Sequence, residues 1–560
     1  MKQSKLWLSI TSTVISVFNV LCFYAIHSMW SGIIAILGKA SPYIIIALMF
    51  LIAVASLIIL LSGKRYLIPT IIFSVLTLFF FVVECYIISV AYDSYKYFLR
   101  EFAIAFGFTA LIALLVFLLF YYPKTKLANS RIFKFVLVFV LVFGIFFGYF
   151  GIIPNQFETT PVVYAVEEEY QIVFITSAKS TAWVKVGDKE YNATYAGSRT
   201  SQDRVHKVCV PMEELDNAGG YTIFSRAMIL RGPYSAMQGV TISQEYNWRG
   251  IDTENGLNYY VLSDTHTEYR QAIKAGNFFG DKLDFLICCG DTANWLDTIG
   301  DVVYGLRVMG GITRGEIPTV YARGNHETKG LIADELYKFV GSVNQNFYFT
   351  FKMQNIWGVV LDLGEDHGDN WAEFYDSSRF DQYRADQTEF LDTILDNKDD
   401  EFDAEGIDYR IGICHIPITF KYAKDHAGKV KDSWIERLNQ MKLTMMFAGH
   451  RHQLMYVEPN AEPNTPLYLQ EAYAGYTSTK PEGYTTNASF PLVMVSRKSN
   501  VQQIDVGDKF FEKYFIGLAV TSDGTNTTMR FTTKDNQIVS IVSPWIKDKV
   551  YGSQIVVPNK

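Results

Sequence analysis

The hydrophobic pattern divides the chain at about residue 155. Five long apolar stretches precede this point: Leu6–Ile26, Tyr43–Leu61, Tyr66–Tyr92, Phe102–Tyr122 and Phe133–Ile153. Each is long enough to cross a bilayer core, which needs about 20 apolar residues in a helix because no water is there to satisfy the backbone. Residues 1–155 are therefore predicted to form an all-α transmembrane region of five helices.

The Lys and Arg residues of the short loops predict the orientation of this region, because cytoplasmic loops carry an excess of positive charge. A cytoplasmic N-terminus leaves Lys39, Lys96 and Arg100 outside and places these residues inside: Lys2, Lys5, Lys64, Arg65, Lys124, Lys126, Arg131 and Lys134. Since five spans put the two ends on opposite sides, we expect a multi-pass protein of the cell membrane, in contact with lipid, whose soluble part is extracytoplasmic. With four or six spans, the soluble part would lie on the cytoplasmic side instead.

Short alternating runs follow from about residue 160 to residue 249. Tyr170–Thr176 and Ala182–Val186 are examples, and turn residues separate such runs. Strand-like runs spaced about 8–12 residues apart are typical of β-sandwiches. Residues 156–250 are therefore predicted to be a fibronectin-III-like β-sandwich, and they contain no cluster of side chains typical of a catalytic site.

After Gly256 the pattern changes to alternating strands and helices. Strands are predicted at Tyr259–Ser263, Asp284–Cys289, Ile317–Ala322, Asn346–Lys352, Ile356–Leu363, Tyr409–Cys414 and Leu443–Ala448. Helices are predicted at Tyr269–Phe279, Trp295–Met309 and Gln382–Asp396, and two more strands surround the turn Ser522–Gly524. Such alternation favours a layered α/β domain, here over residues 251–560, with functional loops at the strand ends.

Composition narrows the function classes. The 560-residue chain has a formal net charge of -7, which gives no reason to expect a nucleic-acid partner, since such proteins normally present a basic surface. Six cysteines in a chain of this length do not make a disulfide framework. Cys288 and Cys289 lie in a predicted buried strand, where cysteine behaves as a small hydrophobic residue.

Candidate chemistry is concentrated in five segments that directly follow predicted strands. They are Asp264-Thr265-His266, Gly290-Asp291, Gly324-Asn325-His326-Glu327, His415, and Gly449-His450-Arg451-His452. Five of the nine histidines lie in these segments. One such fragment alone is typical of a turn, but imidazoles and carboxylates together are the ligands of divalent transition metals. No cysteine joins the set, which argues against a structural zinc site.

The order of these segments resembles that of the calcineurin-like metallophosphoesterase superfamily, over Asn258–Gln453. The resemblance implies a four-layer α/β/β/α domain that hydrolyses phosphate esters. The preceding β-sandwich and the strand-rich tail are similar to the layout of purple acid phosphatases. Those proteins have Asp-x-Gly first and a metal-binding Tyr after the Gly-Asp segment, whereas this chain has His266 and Asn294. An iron(III)–tyrosinate centre is therefore not expected.

The resemblance also implies a role for each residue. One metal ion would be held by Asp264, His266, Asp291 and His452, and a second by Asp291, Asn325, His415 and His450. The ions would be manganese, zinc or iron, with a bridging hydroxide as nucleophile. His326 would face the phosphate and donate a proton to the leaving oxygen, and Glu327 would orient His326.

Several readings stay open at this point. Arg323 and Arg451 flank ligands and would contact either phosphate or a surface acid, while His367 and His426 are predicted to face solvent. The sequence does not separate a phosphomonoesterase from a phosphodiesterase. An alternative of another class is a membrane transporter or sensor whose soluble domain binds a phosphate ligand, although the ligand set is complete and the spans carry almost no charged residues, which argues against an ion-coupled pathway.

Overall fold

The structure is a computed structural model that describes residues 155–559, with gaps at 197–198, 232–235, 254–255, 267, 372, 375–376, 420–425, 453, 461–469, 472–486, 496–514, 540 and 543–549. The five predicted spans lie outside the described residues, so the transmembrane region and its orientation stay predictions. Within the described part, the helices are too short or too polar to cross a bilayer. Pro154–Lys560 forms one compact unit.

The first part of this unit is built almost entirely of strands. They are β1 (Val162–Val166), β2 (Glu169–Val186), β3 (Lys189–Asn192), β4 (Thr194–Ala196), β5 (Arg199–Thr200), β6 (Asp203–Pro211), β7 (Gly220–Arg231) and β8 (Ala236–Asn247). One short helix, α1 (Met212–Ala218), separates β6 from β7.

The remainder alternates strands and helices, as the sequence predicts. Its strands are β9 (Leu257–Leu262), β10 (Phe285–Cys288), β11 (Thr319–Tyr321), β12 (Phe349–Met353), β13 (Ile356–Leu361), β14 (Tyr409–Cys414), β15 (Met445–Ala448), β16 (Met455–Val457), β17 (Gln470–Glu471), β18 (Leu492–Met494), β19 (Ile516–Ser522), β20 (Asn526–Thr533), β21 (Ile541–Val542), β22 (Val550–Gly552) and β23 (Ile555–Pro558). Its α-helices are α2 (Tyr269–Gly276), α3 (Ile299–Thr313), α4 (Phe380–Asp396) and α5 (Gly428–Leu438). Short 3₁₀ helices lie at Asn277–Lys282, His326–Thr328, Ala333–Lys338 and Asn439–Met441.

Each of the three predicted helices differs from its predicted bounds at one or both ends, and α3 differs most. Helix α3 begins at Ile299 instead of Trp295, because Thr298 and Asp301 form a capping box that fixes its start. The Asp301 carboxylate accepts hydrogen bonds from the backbone N–H groups of Asp297 and Thr298. Helix α5 was not predicted, since its sequence is rich in Lys and other polar residues.

The larger sheet joins the first part of the unit to the α/β part. Its main strand order is β23-β20-β19-β9-β10-β11-β1-β2-β7-β8, with β3 and β6 also paired to β2. β1 runs parallel to β11, with Tyr164 opposite Thr319, and antiparallel to β2. The strands of the β-sandwich predicted at 156–250 thus continue, in the described residues, the sheet of the predicted catalytic domain, and the division into these two domains stays a prediction. All of β1 is buried, so it needs neighbours on both edges and both faces.

The second sheet has the order β12-β13-β14-β15-β18-β16. Because side chains alternate along a strand, its two faces enter different cores. Trp357 and Leu361 pack in one core with Leu391 of α4, whereas Val360 and Ile411 belong to the core shared with the larger sheet. Helices α2 and α3 pack on the larger sheet, α2 against β9 and α3 against β10 and β1. The described unit therefore has the four-layer α/β/β/α order that the resemblance implies.

The parallel strands bring their carboxyl ends to one edge of this arrangement. β9, β10 and β11 are parallel neighbours in the larger sheet, and β13, β14 and β15 are parallel neighbours in the second. In open α/β sheets, the loops beyond these ends are where ligands bind.

Candidate metal centre

All seven predicted metal ligands gather where the strand ends of the two sheets meet. Asp264 and His266 follow β9, Asp291 follows β10 and Asn325 follows β11. His415 follows β14, and His450 and His452 follow β15. The backbone N–H of His450 donates to the Asp264 carboxylate at 3.0 and 3.1 Å, which ties a loop of one sheet to a loop of the other.

The backbone at this edge is strained. Positive φ angles, which L-residues rarely adopt, occur at the following site residues: Asp264 (53°), His266 (40°), Asp291 (53°), His450 (75°) and His452 (50°). Each such residue costs on the order of 1–3 kcal/mol, a strain that proteins tend to retain at functional sites. The left-handed backbone conformation at these residues turns their side chains towards the centre.

Two glycines allow these loops to approach each other. A Cβ atom on Gly324 would collide with the carboxylate and backbone nitrogen of Asp291, and one on Gly449 would collide with the side chains of Ser263 and Asp264. Glycine is therefore required at both positions by contact, not by a special backbone angle.

The first ligand cluster contains Asp264, His266, Asp291 and His452. Each offers one ligand atom, and these atoms all lie within 4.8 Å of one another. His452 Nε2 is 3.2 Å from Asp264 Oδ1 and 3.0 Å from His266 Nε2. Two carboxylates and two imidazoles at this spacing fit a divalent transition metal.

The second ligand cluster contains Asp291, His415 and His450, and the amide oxygen of Asn325 lies beside its two imidazoles. The amide oxygen Oδ1 of Asn325 is 3.2 Å from His415 Nε2 and 3.0 Å from His450 Nδ1. His415 Nε2 is 3.2 Å from Asp291 Oδ2. Asp291 is therefore common to both clusters.

Hydrogen bonds and burial set the charge state of these groups. His415 Nδ1 donates to the carbonyl oxygen of Cys289, which leaves Nε2 facing Asp291 and Asn325. Burial lowers the pKa of His415, but the charge and hydrogen bond of Asp291, the charge of Asp264 and the hydrogen bond to Cys289 together raise the pKa to about 10. Burial raises the pKa of Asp291, yet His415 and its hydrogen bond bring the pKa well below the usual range. This buried carboxylate is thus held ionised by positive charge, which a metal ion also supplies.

The Glu327 prediction is corrected by the structure. Its buried carboxylate accepts hydrogen bonds from the backbone N–H groups of Asp291 (2.9 Å), Thr292 (2.6 Å) and Gly324 (3.1 Å), and from the Thr292 hydroxyl (2.8 Å). Glu327 therefore fixes the loop that carries Asp291 instead of orienting His326.

The His326 ring is oriented by another group. Its Nδ1 donates to the carbonyl oxygen of Asn294 at 2.7 Å, so Nε2 points towards the centre, 4.0 Å from Asp291 Oδ2. The backbone N–H of His326 donates to Asp291 Oδ1 at 3.0 Å. The ring stays partly exposed, as a group that meets substrate must be.

Two carboxylates that the sequence pattern does not predict as site residues contact the ligands. Asp366 Oδ2 accepts a hydrogen bond from His450 Nε2 at 3.0 Å, and Glu365 Oε2 accepts one from Asn325 Nδ2 at 3.1 Å. Both follow β13, in Gly364-Glu365-Asp366-His367. Their position after a strand of the second sheet is the same signal that identified the ligands.

Arg323, Arg451, His367 and His426 have different surroundings. Arg323 is held by Asp362 at 2.7 Å and lies over the ring of Phe347, so it stabilises the loop. Arg451 and His367 border a pocket beside the second ligand cluster, so His367 does not simply face solvent. His426 is exposed, as predicted, and its Nε2 is 3.1 Å from Asp381.

The part of the chain that carries this centre matches a known protein family. Residues 257–454 match the family model of the calcineurin-like phosphoesterases. These residues form a calcineurin-like phosphoesterase domain. The prediction of that superfamily, and with it of a phosphoric ester hydrolase, is confirmed. The membrane anchor is not tested by this match.

Several solved structures match this chain at low sequence identity. A purple acid phosphatase from yellow lupin seeds is 12% identical, with a TM-score of 0.46, over 72% of this chain and 75% of that one. PhoD is 10% identical, with a TM-score of 0.39, over 72% of this chain and 92% of that one. The Plasmodium inner-membrane-complex anchor GAP50 is 11% identical, with a TM-score of 0.32, over 53% of this chain and 90% of that one. Among curated protein sequences, none matches this chain.

Proposed function

We propose that this metallophosphoesterase hydrolyses phosphate esters with two divalent metal ions, of manganese, zinc or iron, that share Asp291. The single observation that carries the proposal is the position of Asp291, whose carboxylate belongs to both ligand clusters. Asp264, His266, Asp291 and His452 would hold one ion, and Asp291, Asn325, His415 and His450 would hold the other. When bound, such ions would supply a hydroxide nucleophile at neutral pH and positive charge for the phosphoryl oxygens.

The residues of this chain supply the rest of the chemistry. His326 Nε2 is the proton donor to the leaving oxygen, since the Asn294 carbonyl holds Nδ1 and aims Nε2 at the centre. Glu327 keeps the loop of Asp291 in place through its backbone hydrogen bonds. Pre-organised groups of this kind require no rearrangement during the reaction, which is the main source of electrostatic catalysis.

The test is hydrolysis by the purified full-length chain after chelation and reloading with manganese, zinc or iron. Chromogenic phosphomonoesters and phosphodiesters separate the two substrate classes. The proposal expects metal-dependent turnover in the wild type and loss of both turnover and metal in Asp291→Asn. Asp392→Asn, which changes an exposed carboxylate paired with Arg437, is the matched control and should keep both. Turnover that is unchanged by chelation and by Asp291→Asn would refute the proposal.

We further propose that the domain works on the extracytoplasmic face of a cell membrane, anchored by five helices and close to lipid. The support is the five apolar stretches before residue 155 and the distribution of Lys and Arg between their loops. Protease treatment of intact cells tests this proposal through a C-terminal tag. Loss of the tag signal supports it, whereas protection until the cells are lysed contradicts it.

A further inference from the structure

A pocket of about 480 Å³ opens directly beside the second ligand cluster, and Asn325 and His450 form its inner border. The remaining wall is made of Lys329, Glu365, Asp366, His367, Trp371, Glu373 and Arg451. If phosphate binds at the metal ions, the organic part of a phosphate ester has room to extend into this pocket. The inference below therefore rests on the proposed function.

The outer wall of the pocket carries an exposed aromatic ring. Trp371 is 44% exposed and lines this pocket, so its ring is accessible to a molecule bound there. Its ring is stacked with that of His367, with centroids 4.1 Å apart and planes inclined by 9°. The Trp371 backbone N–H donates to the carbonyl oxygen of Gly368 at 3.0 Å, so the ring stands on a hydrogen-bonded turn.

The charges of the wall are largely compensated within it. Lys329 Nζ lies 3.0 Å from Glu365 and 2.8 Å from Glu373, and Asp366 is engaged by His450. An ammonium group entering the pocket would compete with Lys329 for the same carboxylates. A flat neutral ring needs no new ion pair, because an aromatic face offers it a stacking surface.

We propose that this pocket binds a flat aromatic or heteroaromatic group of the phosphate ester, stacked on Trp371. Trp371 is thereby a specificity-determining residue, which selects the organic part of the substrate and leaves the chemistry of the metal centre unchanged. An aromatic stacking contact is worth about 0.5–1.5 kcal/mol beyond the buried area, which corresponds to roughly a 2- to 13-fold change in affinity.

The test compares two non-hydrolysable ligands of the same length, benzylphosphonate and cyclohexylmethylphosphonate, by isothermal titration calorimetry on the manganese-loaded full-length protein. The inference expects tighter binding of benzylphosphonate. Trp371→Leu should weaken benzylphosphonate about 2- to 13-fold and change cyclohexylmethylphosphonate less than about twofold, while Trp371→Phe should keep most of the preference. Trp183→Leu is the matched control, because Trp183 is also a stacked tryptophan, on Phe224, but lies on β2.

Each outcome decides the inference. Equal binding of the two ligands by the wild type, or equal losses for both in Trp371→Leu, overturns it even if the protein hydrolyses esters. A benzyl preference that depends on Trp371 supports it even if no ester is hydrolysed, and that result would count against the proposed function alone. Binding of neither ligand overturns the inference, and observed ester hydrolysis would then leave the proposed function standing.

Discussion

Asp366 orients the His450 ring by a hydrogen bond: its Oδ2 lies 3.0 Å from His450 Nε2, while His450 Nδ1 faces the amide oxygen of Asn325. Glu365 acts in the same way on Asn325, whose amide N–H₂ donates to its carboxylate and so leaves Oδ1 turned to the centre. Carboxylates in such positions fix the orientation and tautomer of metal ligands.

Asp366→Asn should weaken metal binding at the second ligand cluster. The substitution removes the charged acceptor that orients His450, and loss of such a partner typically costs 10- to 100-fold in metal affinity or activity. We expect a manganese titration of the full-length chain to show one weakened site of two, with turnover largely restored at saturating manganese. Asp392→Asn is the control. An unchanged titration in Asp366→Asn would contradict this role.

His326→Ala should separate catalysis from metal binding. General acid catalysis contributes about 10²- to 10⁴-fold, so turnover should fall within that range while metal content matches the wild type. The loss should be larger for alkyl esters than for 4-nitrophenyl esters, because a good leaving group needs less protonation. His426→Ala, at an exposed histidine, should behave as wild type. Loss of metal together with turnover would rule out the assigned role.

Glu327→Gln should destabilise the centre as a whole. The Glu327 carboxylate accepts hydrogen bonds from the backbone N–H groups of Asp291, Thr292 and Gly324. The amide N–H₂ of the variant is a donor and would face these donors without forming a hydrogen bond. We expect a loss of about 3 kcal/mol in the free energy of unfolding and a reduced metal content at both clusters. Chemical denaturation and elemental analysis measure the two effects. Glu335→Gln, at a carboxylate paired with Lys338, should show neither.

The buried His206, which lies outside the metal centre, should make the free energy of unfolding depend on pH. Burial lowers its pKa from 6.5 to about 3, and its Nε2 lies 2.9 Å from the Ser180 hydroxyl. The unfolded chain takes up this proton below about pH 6.5, whereas the folded chain does so near pH 3. The free energy of unfolding should therefore fall as the pH drops through this window, by about 2 kcal/mol between pH 7 and pH 5.

His206→Gln should remove this contribution. Urea unfolding at pH 7, 6 and 5 should give a smaller loss of stability on acidification for the variant than for the wild type. His426→Gln, which replaces an exposed histidine, should retain the wild-type pH slope. A His206→Gln variant with the same slope as the wild type would show that this histidine does not remain neutral in the folded protein.

The sequence predicts the ligands well because each follows an apolar run that is recognisable as a strand. Observed strands such as β14, at Tyr409–Cys414, match the predicted bounds. Parallel strands then bring residues as far apart as Asp264 and His450 to the same edge. The role of Asp366 was not predicted, because an acidic loop is ordinarily a solvated surface and its contact with His450 depends on how β13 and β15 are placed.

Two features that the sequence does not predict have physical reasons as well. Glu327 directly follows His326, and adjacency suggested that one orients the other. On a 3₁₀ turn of three residues, neighbouring side chains point about 120° apart, so Glu327 turns to the backbone of the Asp291 loop. The alternating pattern of 156–250 predicts strands but not their partners, and β1 pairs with β11 across more than 150 positions of sequence.

Electron paramagnetic resonance of the manganese-loaded protein tests the sharing of Asp291 most directly. Full-length wild-type chain titrated with manganese should bind two ions and show the spectrum of an exchange-coupled pair. Asp291→Asn should lose the coupled signal, whereas Asp392→Asn should retain it. A wild-type protein that binds no manganese, zinc or iron, or that binds two ions as magnetically isolated centres, would contradict the account.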